Sequence, residues 1–219
     1  MDRILIKFEF EFRARGEIFE DRQGLESMAA STKTAVRAGE QAWAKTPKVN
    51  GEFFALTYGA LVSQLVKDYE DVDEVNRQLE KMGYNIGIRL IDEFLAKSGM
   101  TTPCQTHQQR ADTIAKVAFK MFLGINVDVT SWNSERTSFC LVLYENPLAE
   151  FVELPPHLSE LSYSNIYCGA IRGALEMIQI KAVCRFRRDI LRGDEVNEIQ
   201  VDIQEVMEET MGDEYADNS

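Results

Sequence analysis

An α+β fold is predicted, with a four-helix layer packed on one side of a four-stranded antiparallel twisted sheet, and three features of the chain point to it. From residue 52 to residue 122 apolar residues recur at spacings of three and four, the helical period; after Gly124 the period falls to two; and one more helix-period run, over 160–178, separates two strand pairs. The 219 residues, 45% of them apolar, are enough for a full core without metals or disulfides.

The first residues stand apart. Ile4 to Phe12 alternates as a strand would, with Lys7, Glu9 and Glu11 between apolar residues, and the chain then turns charged and mixed through Met28. Two readings stay open, an added edge strand or a segment ahead of a working start at Met28. On the second, the small and polar run from Ala29 to Thr46 is a loose leader. The expected divisions are a flexible or artefactual extension over 1–50, a folded domain over 51–205 and an acidic tail over 206–219.

The folded part opens with a helix over 52–69, where Phe53, Leu56, Ala60, Leu61, Leu65 and Tyr69 share one face. In the next helix, 72–97, Val72, Val75, Leu79, Met82, Ile86, Leu90 and Phe94 form the apolar stripe. Asp71 and Glu74 supply an N-cap and its acid, and Ser98-Gly99 the stop. At 1.5 Å per residue it spans roughly 39 Å. Beside the stripe run Gly83, Gly87, Ile91 and Leu95, four apart. Each mid-helix glycine costs about 1 kcal/mol against alanine, so something uses the missing side chains: a second backbone packed very close, the commoner case, or a ligand lying in the groove.

A third helix starts at a Thr106–Gln109 capping box and carries Ala111, Ala115, Ala118 and Phe122 along one side. Cys104 sits just before it, after the turn from Gly99 to Pro103, where unpaired amides and a helix dipole favour a thiolate. Val127 to Thr130 and Phe139 to Tyr144 read as an antiparallel hairpin turning at Asn133 to Arg136. Prolines at 147, 155 and 156 then break the chain around Phe151 to Leu154. The fourth helix carries a second glycine pair, Gly169 and Gly173, which raises the case for a built internal space. Last come two half-buried strands joined through Gly193. Arg185 and Arg187 on one are set to pair across the solvated face with Glu198 and Asp202 on the other. The basic cluster of Arg185, Arg187, Arg188 and Arg192 could otherwise meet anionic lipid, but cross-strand pairing is the simpler use.

The chemistry is sparse. Cysteines at 104, 140, 168 and 184 form no CxxC and are joined by only two histidines, so neither a zinc site nor a disulfide framework is indicated, and a reducing, cytosolic setting fits. Cys140, Cys168 and Cys184 fall on buried positions and read as core residues. No phosphate loop, GxSxG or nucleophile–histidine motif occurs, His107 reads as a surface residue, and Arg89 is placed to pair with Glu93. No run approaches 18 apolar residues, and the N-terminus lacks signal-peptide order. The net charge of −12 argues against nucleic acid. Ten acids after Gly193, with no Lys or Arg among them, leave about −2 elsewhere, so the acidity is mostly a tail.

Several stretches carry a resemblance to a known family. LTYGALVSQLVKDYE from Leu56, VNRQLEKMGYNIGIRLIDEFLAKSG from Val75, IAKVAFKMFLGI from Ile114, ENPLAEFVELP from Glu145, YSNIYCGAIRGALEM from Tyr163 and RDILRGD from Arg188 together resemble subunit 3 of the trafficking protein particle (TRAPP) complex, over about residues 50–204. The resemblance implies the α/β-plait of the small TRAPP subunits. It also implies a non-catalytic core subunit of a vesicle-tethering complex acting between endoplasmic reticulum and Golgi, cytoplasmic and peripheral at those membranes through the complex. Its implied partners are other small TRAPP subunits in pseudo-twofold heterodimers, with a homodimer in isolation, and a Rab-family GTPase whose nucleotide exchange the assembled complex supports. No obligatory cofactor is implied.

The cysteine matching Cys104 can carry a long acyl thioester such as palmitate in this family. Its chain lies in a hydrophobic tunnel walled in part by the residue matching Ala118. Gly83, Gly87, Ala115, Gly169 and Gly173 are the further expected lining. Relatives usually place an arginine before that cysteine, and this chain has Pro103, which can neither hold a donor's phosphates nor activate the thiol. Gly212-Asp213-Glu214 resembles a tail tip that reaches toward the nucleotide pocket of the bound GTPase; the other reading of this acidic stretch is a solubilising tail. A different class of reading is a stand-alone carrier of a hydrophobic ligand held between the glycine helices.

Overall fold

The computed structural model describes residues 29–100 and 102–206. The strand expected at Ile4–Phe12 and the tail tip Gly212 to Glu214 lie outside them.

Among the described residues there are five helices and four strands, one helix more than expected. The addition is α1, residues 29–45, in the stretch read as a loose leader. Its Ala35, Ala38 and Ala42 pack inward and Ala42 is buried. A β-carbon on Gly39 would fall within 3.0 Å of the Lys116 carbonyl, so α1 lies almost in backbone contact with a neighbouring helix. Thr32 donates to Asp112 at one end, and Glu40 pairs with Lys120 further on. Alanine and glycine supply little hydrophobicity per residue, and that is why the segment read as unstructured.

α2 spans Gly51–Tyr69, capped by the Asn50 side chain, and α3 spans Val72–Lys97, capped by Asp71. Both match the expected limits. Glu74 does not close a capping box; it binds Arg77 and Gln78 instead. Nor does Glu93 serve Arg89, since it pairs with Lys97. α4 runs as one rod through three windings: α-helical His107–Asp112, π-helical Thr113–Ala118 and α-helical Phe119–Leu123. It stops at Gly124, whose φ of 74° supplies the left-handed cap. α5 spans Ile166–Met177.

The strands are β1 (Val127–Thr130), β2 (Ser138–Leu143), β3 (Ile180–Arg188) and β4 (Asn197–Val206), antiparallel in the order β1-β2-β4-β3. β1 and β2 are the expected hairpin, with Val127 opposite Leu143. β3 is an outer strand whose register against β4 shifts at Lys181/Ala182 and at Phe186/Arg188. Phe139, Leu141, Leu143, Ile199 and Val201 turn to the helices and are fully buried with Leu79 of α3. On the opposite face Arg185 pairs with Asp202, and Arg187 and Arg188 with Glu198, as the alternation requires.

The glycine rows meet one another. A β-carbon at Gly83 or Gly87 would fall within 3.0 Å of the Ile166 or Ala170 carbonyl, and one at Gly169 or Gly173 within 3.0 Å of the Glu80 or Tyr84 carbonyl. α3 and α5 therefore cross backbone on backbone, and these four residues are contact glycines, not the lining of a lipid tunnel. The contact is locked at its side by Arg172, which pairs with Glu80 at 3.0 Å and stacks over the Tyr84 ring at 4.5 Å.

Candidate lipid site beside Cys104

Cys104 is half-buried, while Cys140, Cys168 and Cys184 are buried, as expected for core residues. Burial pushes the Cys140 thiol up, and the Cys184 thiol up to about 12, so neither serves as a thiolate near neutral pH. Around Cys104 the chain is pinned by the expected capping box. The Thr106 side chain accepts from the Gln109 amide, and Gln109 Oε1 accepts from the Gln105 and Thr106 amides. Those amides are thus paired with side chains instead of facing the sulfur. The sulfur lies 3.3 Å from the Thr113 hydroxyl, the first residue of the π-helical stretch. His107 is half-buried, its Nδ1 3.1 Å from Arg110, and desolvation with that positive neighbour lowers its pKa. It is a neutral partner of the helix start.

The π winding decides where α4 points its side chains. One wide turn, closed by i to i+5 bonds, rotates everything after it relative to an α-helix. Ala111, Ala115 and Phe119 enter the main core, and Val117 and Met121 are buried in a separate apolar cluster. That cluster is built from α1, α3 and α4: Ala42, Ile91, Phe94, Val117 and Met121 are buried in it, with Ala35, Ala38, Met100, Ala118, Phe122 and Ala174 around them. The sequence expectation is thereby divided. Ala118 lies at the small cluster, Ala115 in the main core, and the four glycines at the crossing of α3 and α5. The alanines of α1 were missed, although their spacing of three and four beside Gly39 is a small-residue helix stripe. Lys116, on the same π stretch, donates to the Val127 carbonyl and to Asp128, both at 2.6 Å, and ties α4 to the sheet edge.

The described residues hold no group of three or more His, Cys, Asp or Glu that could bind a metal, and no helix among them is long and apolar enough to cross a membrane.

Residues 54–202 match the family "Transport protein particle (TRAPP) component". The chain is 53% identical over 172 residues to Trafficking protein particle complex subunit 3 of Dictyostelium discoideum, covering 78% of this chain and 92% of that one. The chain belongs to the TRAPP subunit 3 family. Trafficking protein particle complex subunit BET3 of Saccharomyces cerevisiae is 46% identical over 174 residues, covering 78% and 90% of the two chains. The fold agrees: a TRAPP subunit 3 from Naegleria fowleri, crystallised covalently bound to palmitic acid, superposes with a TM-score of 0.71 at 52% identity and covers 74% of this chain and 100% of that one. As a member of the TRAPP subunit 3 family, the chain is a component of a vesicle-trafficking complex whose other subunits it must contact.

Proposed function

We propose that this chain is a non-catalytic core subunit of a TRAPP tethering complex acting between endoplasmic reticulum and Golgi, where the assembled complex offers a nucleotide-exchange surface to a Rab-family GTPase. It docks on a related small subunit through α2. Phe53, Phe54 and Leu56 of that helix are 72%, 43% and 66% exposed, and Phe151 beside it is 58% exposed. Such a concentration of large apolar side chains on one helix is what a protein interface covers.

We further propose that Cys104 carries a long acyl chain as a thioester, formed by exchange with an acyl thioester donor whose acyl–sulfur bond breaks as the Cys104 acyl–sulfur bond forms, the donor leaving as a thiol with the Cys104 proton, and that the chain enters between α1, α3 and α4. The single observation that supports this best is the covalent palmitic acid on the 52% identical relative. The half-buried thiol at the start of α4, and the small side chains of Ala35, Ala38, Ala42 and Ala118 along the second cluster, are consistent with it. Some fourteen methylenes at about 0.8 kcal/mol each would contribute on the order of 10 kcal/mol, comparable with a domain's whole stability. A chain so enclosed acts as part of the core and leaves nothing outside to anchor in a bilayer.

The test is an intact mass of protein purified from its own cells, before and after hydroxylamine. A loss of about 238 Da is expected for a palmitoyl thioester (palmitoyl being one of the lipids of covalent membrane anchors). An unchanged mass from fresh protein would remove the acyl assignment and leave the assembly role standing.

A further inference from the structure

Gly59, inside α2, differs from the glycines at the crossing of α3 and α5. Their missing side chains are replaced by another helix's backbone, whereas a β-carbon at Gly59 would have one neighbour within 4 Å, the Tyr163 hydroxyl at 3.3 Å. That hydroxyl is buried and has no hydrogen-bond partner among the described residues. Tyr163 is 3% exposed and held in place, its carbonyl accepting from the Tyr58 hydroxyl and its ring meeting the Tyr58 ring edge-on at 5.2 Å. A fixed, buried and unpaired hydroxyl is unfavourable unless its partner comes from outside. Burial raises its pKa, so it stays protonated and able to donate.

Gly59 and Tyr163 line a half-open groove of about 250 Å³ between α2 and residues 148–152. A cavity of about 150 Å³ takes one benzene, so this one has room for a large side chain and part of its neighbour. The groove is mostly apolar, with Ser63 on its α2 wall, and it takes in exposed Leu56 and Phe151. On its α2 side Ala55, Gly59 and Ser63 succeed one another four apart, the spacing that lets a second helix come close.

The geometry points to this groove as the socket for a helix of a second TRAPP-type chain, which inserts one large apolar side chain beside α2 and offers a side-chain oxygen to the Tyr163 hydroxyl through the gap left by Gly59. This rests on the reading of α2 as the docking face and names what that face selects. The occupant is identified by three features together: membership of a multi-subunit complex, a groove parallel to a helix and continuous with its exposed apolar face, and a lone buried donor that calls for an acceptor.

The experiment measures Kd between the full-length chain and each small TRAPP-type subunit of the same complex, purified separately, with self-association measured alongside. Tyr163→Phe removes a hydroxyl that has no partner among the described residues, so Tm should hold while binding to the cognate subunit weakens about five- to tenfold. Gly59→Leu fills the gap with a good helix former whose β-carbon sits 3.3 Å from the Tyr163 hydroxyl, so the tight contact offsets the gain in helix propensity; the variant should still fold cooperatively, and binding should weaken at least tenfold. Self-association lost in the same two variants supports the socket equally, because a second copy is a chain of this fold. Wild-type affinity in Tyr163→Phe and Gly59→Leu, with Phe53→Ser weakened, would overturn the socket and keep the face. If Phe53→Ser also binds normally, the face itself is wrong.

Discussion

Ala118 is partly buried against the second apolar cluster, the place proposed above for the acyl chain. Ala118→Leu is therefore expected to fold and to lose bound acyl chain, read as the disappearance of the hydroxylamine-sensitive mass; lipid retained in that variant would place the chain elsewhere. Asp189 raises a different residue-scale question. It is buried, with one carboxylate oxygen accepting from the Leu191 amide and the other unpaired among the described residues, and desolvation raises its pKa. A carboxyl whose pKa is higher in the folded state binds more protons folded than unfolded. Its contribution therefore falls as pH rises from the unfolded value through the folded one, and the deficit persists above that. Asp189→Asn, which keeps the capping oxygen, should raise Tm at pH 7 to 8 and flatten the decline that sets in as pH rises above about 4; an unchanged slope would show that other groups set it.

Among the elements, the crossing of α3 and α5 is the most constrained. Gly169→Ala would drive a methyl into the Glu80 carbonyl, so the helices must separate, at about 1–3 kcal/mol or more. Gly83→Ala, facing the same crossing from α3, should cost a similar amount. The double variant should lose less than the sum, because one separation accommodates both methyls. Thermal unfolding of the three proteins checks this, and strict additivity would mean that the two contacts yield independently.

This crossing also shows what could be read in advance. Two glycine pairs four apart announce a close approach, but not whether the approaching object is a backbone or a lipid, since both need the same missing side chains. The limits of α3 were legible because Asp71 and Ser98-Gly99 mark them chemically. α1 was not, because a stripe of Ala35, Ala38 and Ala42 has little hydrophobic contrast with the polar residues around it. The π winding of 113–118 leaves no mark in composition, and it is what separates Ala115 from Ala118. Cys104 could be picked out by its place before a capping box, whereas the second apolar cluster, where we propose its acyl chain lies, depends on α1, which closes from some 80 residues upstream through contacts such as Thr32 to Asp112.

At the scale of the whole molecule, we expect function to divide between the folded domain and the acidic residues beyond Val206. A chain ended at Val206 should assemble with its partner subunits as well as the full protein and should slow nucleotide release from the GTPase when built into the complex. Release at the full rate from the truncated complex would reduce the acidic tail to a solubilising one. The sheet supplies a last consequence. β3, an outer strand, carries Lys181, Arg185, Arg187 and Arg188 exposed along it and is bent by two register shifts, while β1 at the other edge is only 4 residues long. Charged, kinked or brief borders refuse a stranger's strand. A copy still waiting for its complex is thus shielded from ribbon-like stacking into fibrils, and the contacts left open to it run through helices.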